Sequence, residues 1–282
     1  MQKCIICDSN NNTLIYSSTL IKCNSCGFVT ANLEISDEQL KSIYSENYFN
    51  GDEYLNYLSD KQTLQKNFSK RLEQIQTNNN STIKINALEI GCAYGFFGEL
   101  FKKKFKTANY TGIDVVSEAI NYGKETFGLN LLFQDYLTFP TVEKYSHVFM
   151  WDVIEHLQHP DCFIEKISNE SIKGSEIHIT TGDIGALLPK IQKQKWRMIH
   201  PPTHLHYFTK NTLTLLLQKY GFEVKSITYK PIFRSVKQIF YSLFLLNKPK
   251  ANFSNKVFQQ IPEKWFIPLN TYDIMYIIAV KK

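Results

Sequence analysis

Ala87-Leu-Glu-Ile-Gly-Cys-Ala-Tyr-Gly95, followed by Tyr110-Thr-Gly-Ile-Asp114, is the stretch that decides the fold. The apolar run Ile83 to Ile90 reads as a buried parallel strand ending in a tight turn that contains Gly91 and Gly95. A helix-like segment, Phe96 to Phe105, follows directly, and a second short apolar strand then ends in a carboxylate, Asp114. In an α/β sheet this order sets the glycine turn and the acid side by side, outside the carboxyl ends of neighbouring strands. Glycines let the backbone approach a ligand closely, and the acid can accept hydrogen bonds from two ribose hydroxyls.

A nicotinamide-type fingerprint fits this turn poorly. It asks for glycines at positions one, three and six, where this chain has Gly91, Ala93 and Phe96. Glu89 also stands inside the turn, where it would repel a pyrophosphate. An adenosine ligand carrying cations in place of phosphates suits that acid better, and S-adenosylmethionine is such a ligand. Here the chain resembles the class I S-adenosylmethionine-dependent methyltransferases, whose first motif is commonly acid-x-Gly-x-Gly-x-Gly. Glu89, Gly91 and Gly95 match, and Ala93 departs at the central glycine. The resemblance implies that Asp114 binds the ribose and that Asp135, at the end of the third strand, reaches the adenine amino group. Asp135 capping its own turn is the plainer alternative. Further cofactor contacts are expected from Tyr48, Phe96, Val115, Tyr136 and Trp151.

From residue 84 onward strands and helices alternate, with strands expected near 84–90, 109–114, 130–134, 146–151, 175–181, 223–229 and 272–280. Helices are expected near 95–105, 117–127, 159–170 and 209–220, and Gly221 reads as a helix stop. The alternation predicts a Rossmann-like, doubly wound, mostly parallel sheet with helices on both faces. The resemblance adds seven strands and an antiparallel last strand. The expected organisation is a zinc ribbon or knuckle over 1–32, an aromatic helical lid over 33–80, and a methyltransferase domain over 81–282 with an insertion at 230–270.

Four of the six cysteines fall in the first 26 residues, as Cys4-x2-Cys7 and Cys23-x2-Cys26. Two such knuckles bring four thiolates into tetrahedral reach of a structural Zn2+. Disulfides fit the paired spacing less well, and four sulfurs would leave a catalytic zinc no open position. The lid region carries Tyr44, Tyr48, Phe49, Tyr54 and Tyr57 at helical spacings, which suits either core packing or a cover over the cofactor mouth. Ile232 to Leu246 is apolar and basic and reads as an amphipathic helix, serving as a substrate-side cover, an oligomer contact or a membrane-surface element.

Two further clusters carry chemistry. The fourth strand ends in Trp151-Asp-Val-Ile-Glu-His156, gathering three ionisable groups where a transferred methyl would sit. Its Asp-x-x-Glu-His pattern is similar to one in ubiquinone-biosynthesis O-methyltransferases and in small-RNA 2′-O-methyltransferases. In those enzymes the pattern is associated with a divalent metal, so an ion at Asp152, Glu155 and His156 is implied. After the fifth strand comes His200-Pro-Pro-Thr-His-Leu-His206, which holds three of the seven histidines. Strand-like alternation would point His204 and His206 to the same side. The expected chemistry is in-line methyl transfer to a hydroxyl with His156 as the base, His204 or His206 next, and Glu155 orienting. Arg197 reads as a clamp for an acceptor phosphate or carboxylate, or as a surface residue.

The cysteine-rich start resembles bacterial methyltransferases of sugars and other small metabolites, which implies a small-molecule acceptor. An RNA 2′-O-methyltransferase and a non-catalytic zinc-ribbon interaction protein are the rival classes. A net charge of +6 without a concentrated basic stripe disfavours nucleic acid. No apolar run reaches the roughly 18 residues of a membrane span, and no secretory core opens the chain, so a cytoplasmic enzyme, able to form oligomers, is expected.

Overall fold

The computed structural model describes residues 3–43, 57–75, 85–140, 144–237, 239–240, 258–262 and 264–282. Tyr44, Tyr48, Phe49 and Tyr54 of the expected lid, and residues 238 and 241–246 of the 232–246 segment, lie outside the described residues.

The chain opens with three short antiparallel strands, β1 (Asn12–Ile15), β2 (Leu20–Cys23) and β3 (Val29–Ala31). Helices α1 (Asp37–Ile43) and α2 (Lys61–Leu72) lead to the alternating region. There β4 (Asn86–Ile90), α3 (Phe96–Lys104), β5 (Asn109–Asp114), α4 (Ser117–Phe127), β6 (Leu131–Phe133), β7 (Tyr145–Trp151), α5 (Pro160–Glu170) and β8 (Ser171–Gly182) follow in turn. After β8 come α6 (Leu187–Gln192), β9 (His206–Tyr207), α7 (Lys210–Lys219), β10 (Phe222–Thr228), β11 (Ile232–Ser235), β12 (Phe266–Leu269) and β13 (Ile274–Lys281).

Seven strands form one sheet in the order β10-β13-β8-β7-β4-β5-β6. Strands β4 to β8 run parallel, whereas β13 is antiparallel to both β8 and β10. This is the wound sheet with a reversed last strand that the strand–helix alternation and the resemblance predict. Its topological switch lies between β4 and β7, so the ends of β4, β5 and β7 open onto one crevice. Burial explains why these strands lack polar alternation: β4 and β5 are enclosed on both faces, as parallel strands must be.

One face of the sheet packs on α5 and α7 through Ile164, Ile167, Leu213 and Leu216, and Cys4, Ile6 and Phe28 of the ribbon join the same core. The other face packs on α2, α3 and α4 through Phe68, Phe97, Phe101, Ala119 and Ile120.

Two features depart from the sequence expectation. Strand β9 extends the ribbon sheet, pairing Val29 with Tyr207 and Thr30 with His206, so the ribbon is continuous with the loop that follows β8. Residues 232–235 form a strand, not the start of an amphipathic helix, because β12 pairs with it from Ile232↔Leu269 to Ser235↔Phe266. The β11 edge holds α2 in turn: Asn67 Nδ2 donates to the Phe233 carbonyl at 3.1 Å, and the Phe233 amide donates to Asn67 Oδ1 at 2.7 Å.

Phe28 is the ribbon's anchor, 4% exposed, with its ring 5.5 Å from His206 and 5.3 Å from Phe208. Truncating a core phenylalanine costs about 3–5 kcal/mol. Phe28→Ala is therefore expected to lower the unfolding midpoint and to speed hydrogen exchange at the Leu205 and His206 amides. Unchanged exchange there would mean that the ribbon does not brace this loop.

Candidate active site

The turn between β4 and α3 is left-handed at alternate residues: Gly91 has φ +73°, Ala93 +45° and Gly95 +76°. Ala93 is the costly member, because a side chain in that region gives up about 1–2 kcal/mol. A side chain at Gly91 would be strained and would force Val153 to shift, since a Cβ there would lie 2.5 Å from Val153 Cγ2. The turn is pinned by Asp114, whose Oδ2 accepts the Ala93 amide at 2.8 Å and whose Oδ1 accepts the Val116 amide at 3.0 Å. A carboxylate offers about four lone-pair sites, so Asp114 keeps accepting capacity beyond these backbone amides.

Glu89 lies beneath this turn, 2% exposed, and accepts a hydrogen bond from the Tyr110 hydroxyl. Burial, and then the Asp114 charge, push it up to about 8, against the pull of Tyr110 and of Arg71. The remaining expected cofactor contacts are spread out. Val115 is exposed on the rim, and Asp135 is also exposed, its Oδ1 accepting the Leu137 amide at 2.9 Å. Phe96 faces the interior, stacked on Tyr57 at 5.6 Å, so the described end of the tyrosine-rich segment does pack against the glycine turn. Tyr136 also turns inward, donating to Glu170 at 2.6 Å, which leaves its hydroxyl committed to the core. Tyr48 lies outside the described residues.

Strand β7 ends in a second polar group. Asp152 sits at φ +56°, a strained position for a non-glycine residue. Its carboxylate is engaged twice, by Arg71 Nη2 at 3.1 Å and by Thr180 Oγ1 at 2.9 Å. The expected Asp152–Glu155–His156 ion site is therefore not the cluster that forms. Ligand atoms of Glu155, His156 and His204 come within 4.8 Å of one another instead. Neither Glu155 oxygen meets a hydrogen-bond partner at full bonding geometry, although the residue is 2% exposed. Burial and then the Asp152 charge push Glu155 up to about 8, with Thr181 and Arg71 acting against the shift.

Both imidazoles of this cluster are oriented by carbonyls. His156 Nδ1–H donates to Thr203 O at 2.9 Å and His204 Nδ1–H to Met198 O at 2.8 Å, which leaves the lone pair of each ring on Nε2. Burial lowers His156 to about 4, and burial with the neighbouring His156 and His200 rings lowers His204 to about 2. Neutral, oriented rings of such low basicity suit ligation better than proton abstraction.

His206 does not join them. Its ring packs on Phe28, and its Nε2 lies 3.4 Å from the Gln158 carbonyl. The regular strand is only His206–Tyr207, so period-two alternation does not extend back to His204. Arg197 is likewise committed, in a bidentate pair with the buried Asp273 at 2.7 and 3.3 Å.

Arg71 is the site residue that the motifs miss. It lies three residues after Phe68, on the stripe of α2 that also buries Leu72, and stands 5.0 Å over the Trp151 ring. The same i, i+3, i+4 spacing is the signal that could have found it.

In the ribbon the four thiols converge, with Cys4 Sγ 3.5 Å from Cys26 Sγ and Cys7 Sγ 3.5 Å from Cys23 Sγ. Both knuckles repeat one backbone turn: the Asp8 amide donates to Cys4 O and the Gly27 amide to Cys23 O, each at 2.9 Å. Sulfurs around a tetrahedral zinc with bonds near 2.3 Å stand about 3.8 Å apart, so the donor set fits such an ion. Burial works to raise Cys23, but hydrogen bonds from the Cys26 and Ser25 amides and from the neighbouring thiols outweigh it and bring it to about 7.

A family model described as a methyltransferase domain matches residues 52–227. The chain belongs to that family. It is an S-adenosylmethionine-dependent methyltransferase of the class I fold. No curated protein matches it. Among solved structures, the magnesium protoporphyrin IX methyltransferase of Synechocystis, with bound SAH, is 12% identical, at a TM-score of 0.55 over 88% of this chain and 100% of its own. A chain from the complex of the Haloferax volcanii Trm112 methyltransferase activator with a methyltransferase is 11% identical, at a TM-score of 0.58 over 88% and 99%. A SAM-dependent methyltransferase from Archaeoglobus fulgidus is 18% identical, at 0.51 over 84% and 97%. At these identities the likeness is one of fold. Among the described residues no helix of the methyltransferase is long and apolar enough to cross a membrane.

The raised carboxyls have a consequence for stability. Glu89 and Glu155 titrate at about 8 in the folded chain against 4.5 ordinarily, so the folded chain keeps protons that the unfolded chain gives up. Their contribution is full below 4.5 and is lost as pH rises through 8. The lowered His147, His156, His204 and His206 act oppositely, but only below their ordinary 6.5. Between pH 6.5 and 8 the thermal midpoint is expected to fall, and to fall less in Glu89→Gln. Parallel slopes for the two proteins would remove Glu89 from this account.

Proposed function

We propose that the enzyme methylates a hydroxyl of a small-molecule acceptor, a sugar or related metabolite, within the crevice at the ends of β4, β5 and β7. One observation carries the reading: the buried carboxyl of Glu155, whose oxygens meet no partner at full bonding geometry, stands with the two oriented imidazoles of His156 and His204 just beyond the end of β7. Buried polar groups are normally satisfied, so this group calls for a polar ligand.

Bound S-adenosylmethionine supplies an electrophilic methyl on a sulfonium centre. Asp114 would accept from the ribose hydroxyls, the 91–95 turn would lie along the nucleoside, and Glu89 would face the cationic methionine portion. Val115 and Asp135 on the rim would border the adenine. A carboxylate and two neutral imidazoles form a nitrogen–oxygen donor set that fits a divalent cation as well as an acceptor oxygen. Such a cation would make an acceptor hydroxyl more acidic. In that arrangement Glu155, His156 and His204 hold and orient the acceptor, and His156 acts as a ligand in place of the expected base. The four ribbon cysteines would hold a structural Zn2+ that stiffens the loop carrying His204.

Titration calorimetry with S-adenosylmethionine tests the cofactor part. Micromolar binding is expected in the wild type, with at least a tenfold loss in Asp114→Ala. Affinity should also strengthen as pH rises from 7 to 9, because Glu89 must lose its proton to face a cation, and Glu89→Gln should flatten that dependence. No binding heat at millimolar ligand would reject the reading. Zinc near one equivalent per chain is expected in the purified protein. Its removal by a chelator should speed hydrogen exchange in β3 and at Leu205, and unchanged exchange would leave the ribbon without this role.

A further inference from the structure

A second polar chain, independent of Glu155 and the paired histidines, runs across the sheet from the same crevice. It uses one face of three neighbouring strands. Trp151 of β7 is in register with Thr180 of β8, and Thr180 with Tyr276 of β13. Two residues further from the crevice, Phe149 faces His178 and His178 faces Ile278. Two further again, His147 faces Glu176. Alternation therefore puts Thr180, His178 and Glu176 on one side, and Tyr276 of the adjacent strand leans over them.

The contacts along this row are short and continuous. The Tyr276 hydroxyl lies 2.7 Å from His178 Nδ1, and His178 Nε2 lies 3.0 Å from Glu176 Oε2. With Glu176 as the acceptor, Nε2 carries the ring proton and Nδ1 accepts from the tyrosine. His178 is fully buried, while the Glu176 side chain is 25% exposed, so the chain begins inside the protein and ends at water. At its inner end Tyr276 lines a cavity of about 30 Å³ shared with Arg71 and Thr180, the two residues that hold the Asp152 carboxylate. A space of that size admits one water molecule.

A buried imidazole bridging a hydroxyl and a carboxylate is an unusual way to fill the middle of a strand, because its desolvation must be offset by bonds at both nitrogens. The acceptor site above supplies only rings of low basicity. A methylated hydroxyl must nevertheless lose a proton, and the sulfonium loses its charge in the same event.

We propose that Tyr276, His178 and Glu176 form a proton relay that carries the acceptor's proton from the crevice to solvent, an inference that rests on the hydroxyl-methylation reading above. The acceptor oxygen forms its bond to the methyl carbon as the carbon–sulfur bond breaks, and the sulfur keeps that electron pair. The acceptor proton moves to the Tyr276 oxygen, directly or through one water, while the tyrosine's own proton moves to His178 Nδ1. The positive charge that leaves the sulfonium thus reappears on His178, beside the Glu176 carboxylate, from which water removes the proton. Tyr276 is the member nearest the reacting atoms; His178 and Glu176 act through it.

The groups facing His178 are Glu176 on its own strand, Tyr276 on β13 and His147 on β7, and Arg71 of α2 faces Tyr276. Burial works to raise Glu176, but the hydrogen bond and charge of His178 outweigh it and hold the carboxyl below its ordinary range. Burial raises the Tyr276 hydroxyl, so that it passes a proton on and does not remain ionised.

Nitrogen-15 imidazole NMR of the full chain tests the relay without knowledge of the acceptor. The His178 signals, assigned by their loss in His178→Gln, should show the Nε2–H form. Glu176→Gln, a change at a partly exposed side chain, should lower the His178 titration midpoint by about one unit or more. That midpoint should be higher with S-adenosylhomocysteine bound than with S-adenosylmethionine, and Tyr276→Phe should abolish the difference. A ring protonated at Nδ1, an unmoved midpoint in Glu176→Gln, equal midpoints in the two complexes, or a difference that survives Tyr276→Phe would each overturn the relay while leaving the methyltransfer reading intact. Failure of both nucleosides to bind, seen as unchanged amide spectra, would instead reject that reading and the relay with it.

Discussion

Two backbone amides organise this molecule. Those of Leu205 and His206 donate to the Glu155 carbonyl at 2.8 and 3.1 Å. On the other side, the Leu205 carbonyl accepts the Ala31 amide at 2.8 Å and the Thr30 hydroxyl at 3.0 Å. A buried carbonyl must be satisfied somewhere, and here the requirement is met by a segment that the ribbon itself holds in place. The ribbon, the histidine loop and the turn after β7 are therefore one mechanical unit. Displacing β3 would release Leu205, and with it the geometry that sets His204 against Glu155 and His156. The cysteine cluster stands at the far end of this unit, where fixing two knuckles fixes three short strands too small to be stable alone.

Much of the frame was legible because its signals are local. The boundaries of β5 at 109–114 and α4 at 117–127 coincide with the spans read from the sequence, since a carboxylate ends the strand and a glycine follows the helix. The reversed final pair was announced by Gly221 and the apolar run at the chain's end. Strand β9 was not legible: it is two residues long, and its partner lies some 175 positions away. For the same reason the alternation assumed for His204 and His206 fails, because no regular strand connects them. The 232–235 strand was hidden by an apolar, basic composition that suits a helix equally, and pairing with β12 decided the matter.

The chemistry-bearing residues were legible as types and less so as partners. Glu89, Asp114 and Glu155 stand near the carboxyl ends of β4, β5 and β7, which the topology brings side by side. Asp152 was grouped with Glu155 and His156 by spacing alone, which cannot reveal that Arg71, 81 positions earlier, takes its carboxylate. Tyr136 and Arg197 follow the same pattern. Each is polar and near the right strand, yet each is claimed by a buried acid, Glu170 or Asp273, that only the tertiary fold supplies.

Arg71 connects these observations. Its charge acts on Glu89, Glu155 and Tyr276 and pairs directly with Asp152. Burial, with the Asp114 charge beside Glu89 and the Asp152 charge beside Glu155, outweighs that one guanidinium, so both carboxyls rise to about 8 and hold protons. On the proposed reading, a cationic nucleoside enters a region already short of positive charge and displaces a proton from Glu89. Once its methyl is transferred the sulfur is neutral, and Glu89 can take a proton back. On that reading the sulfonium and the thioether differ in the protonation state they impose on Glu89, so the ratio of their affinities depends on pH.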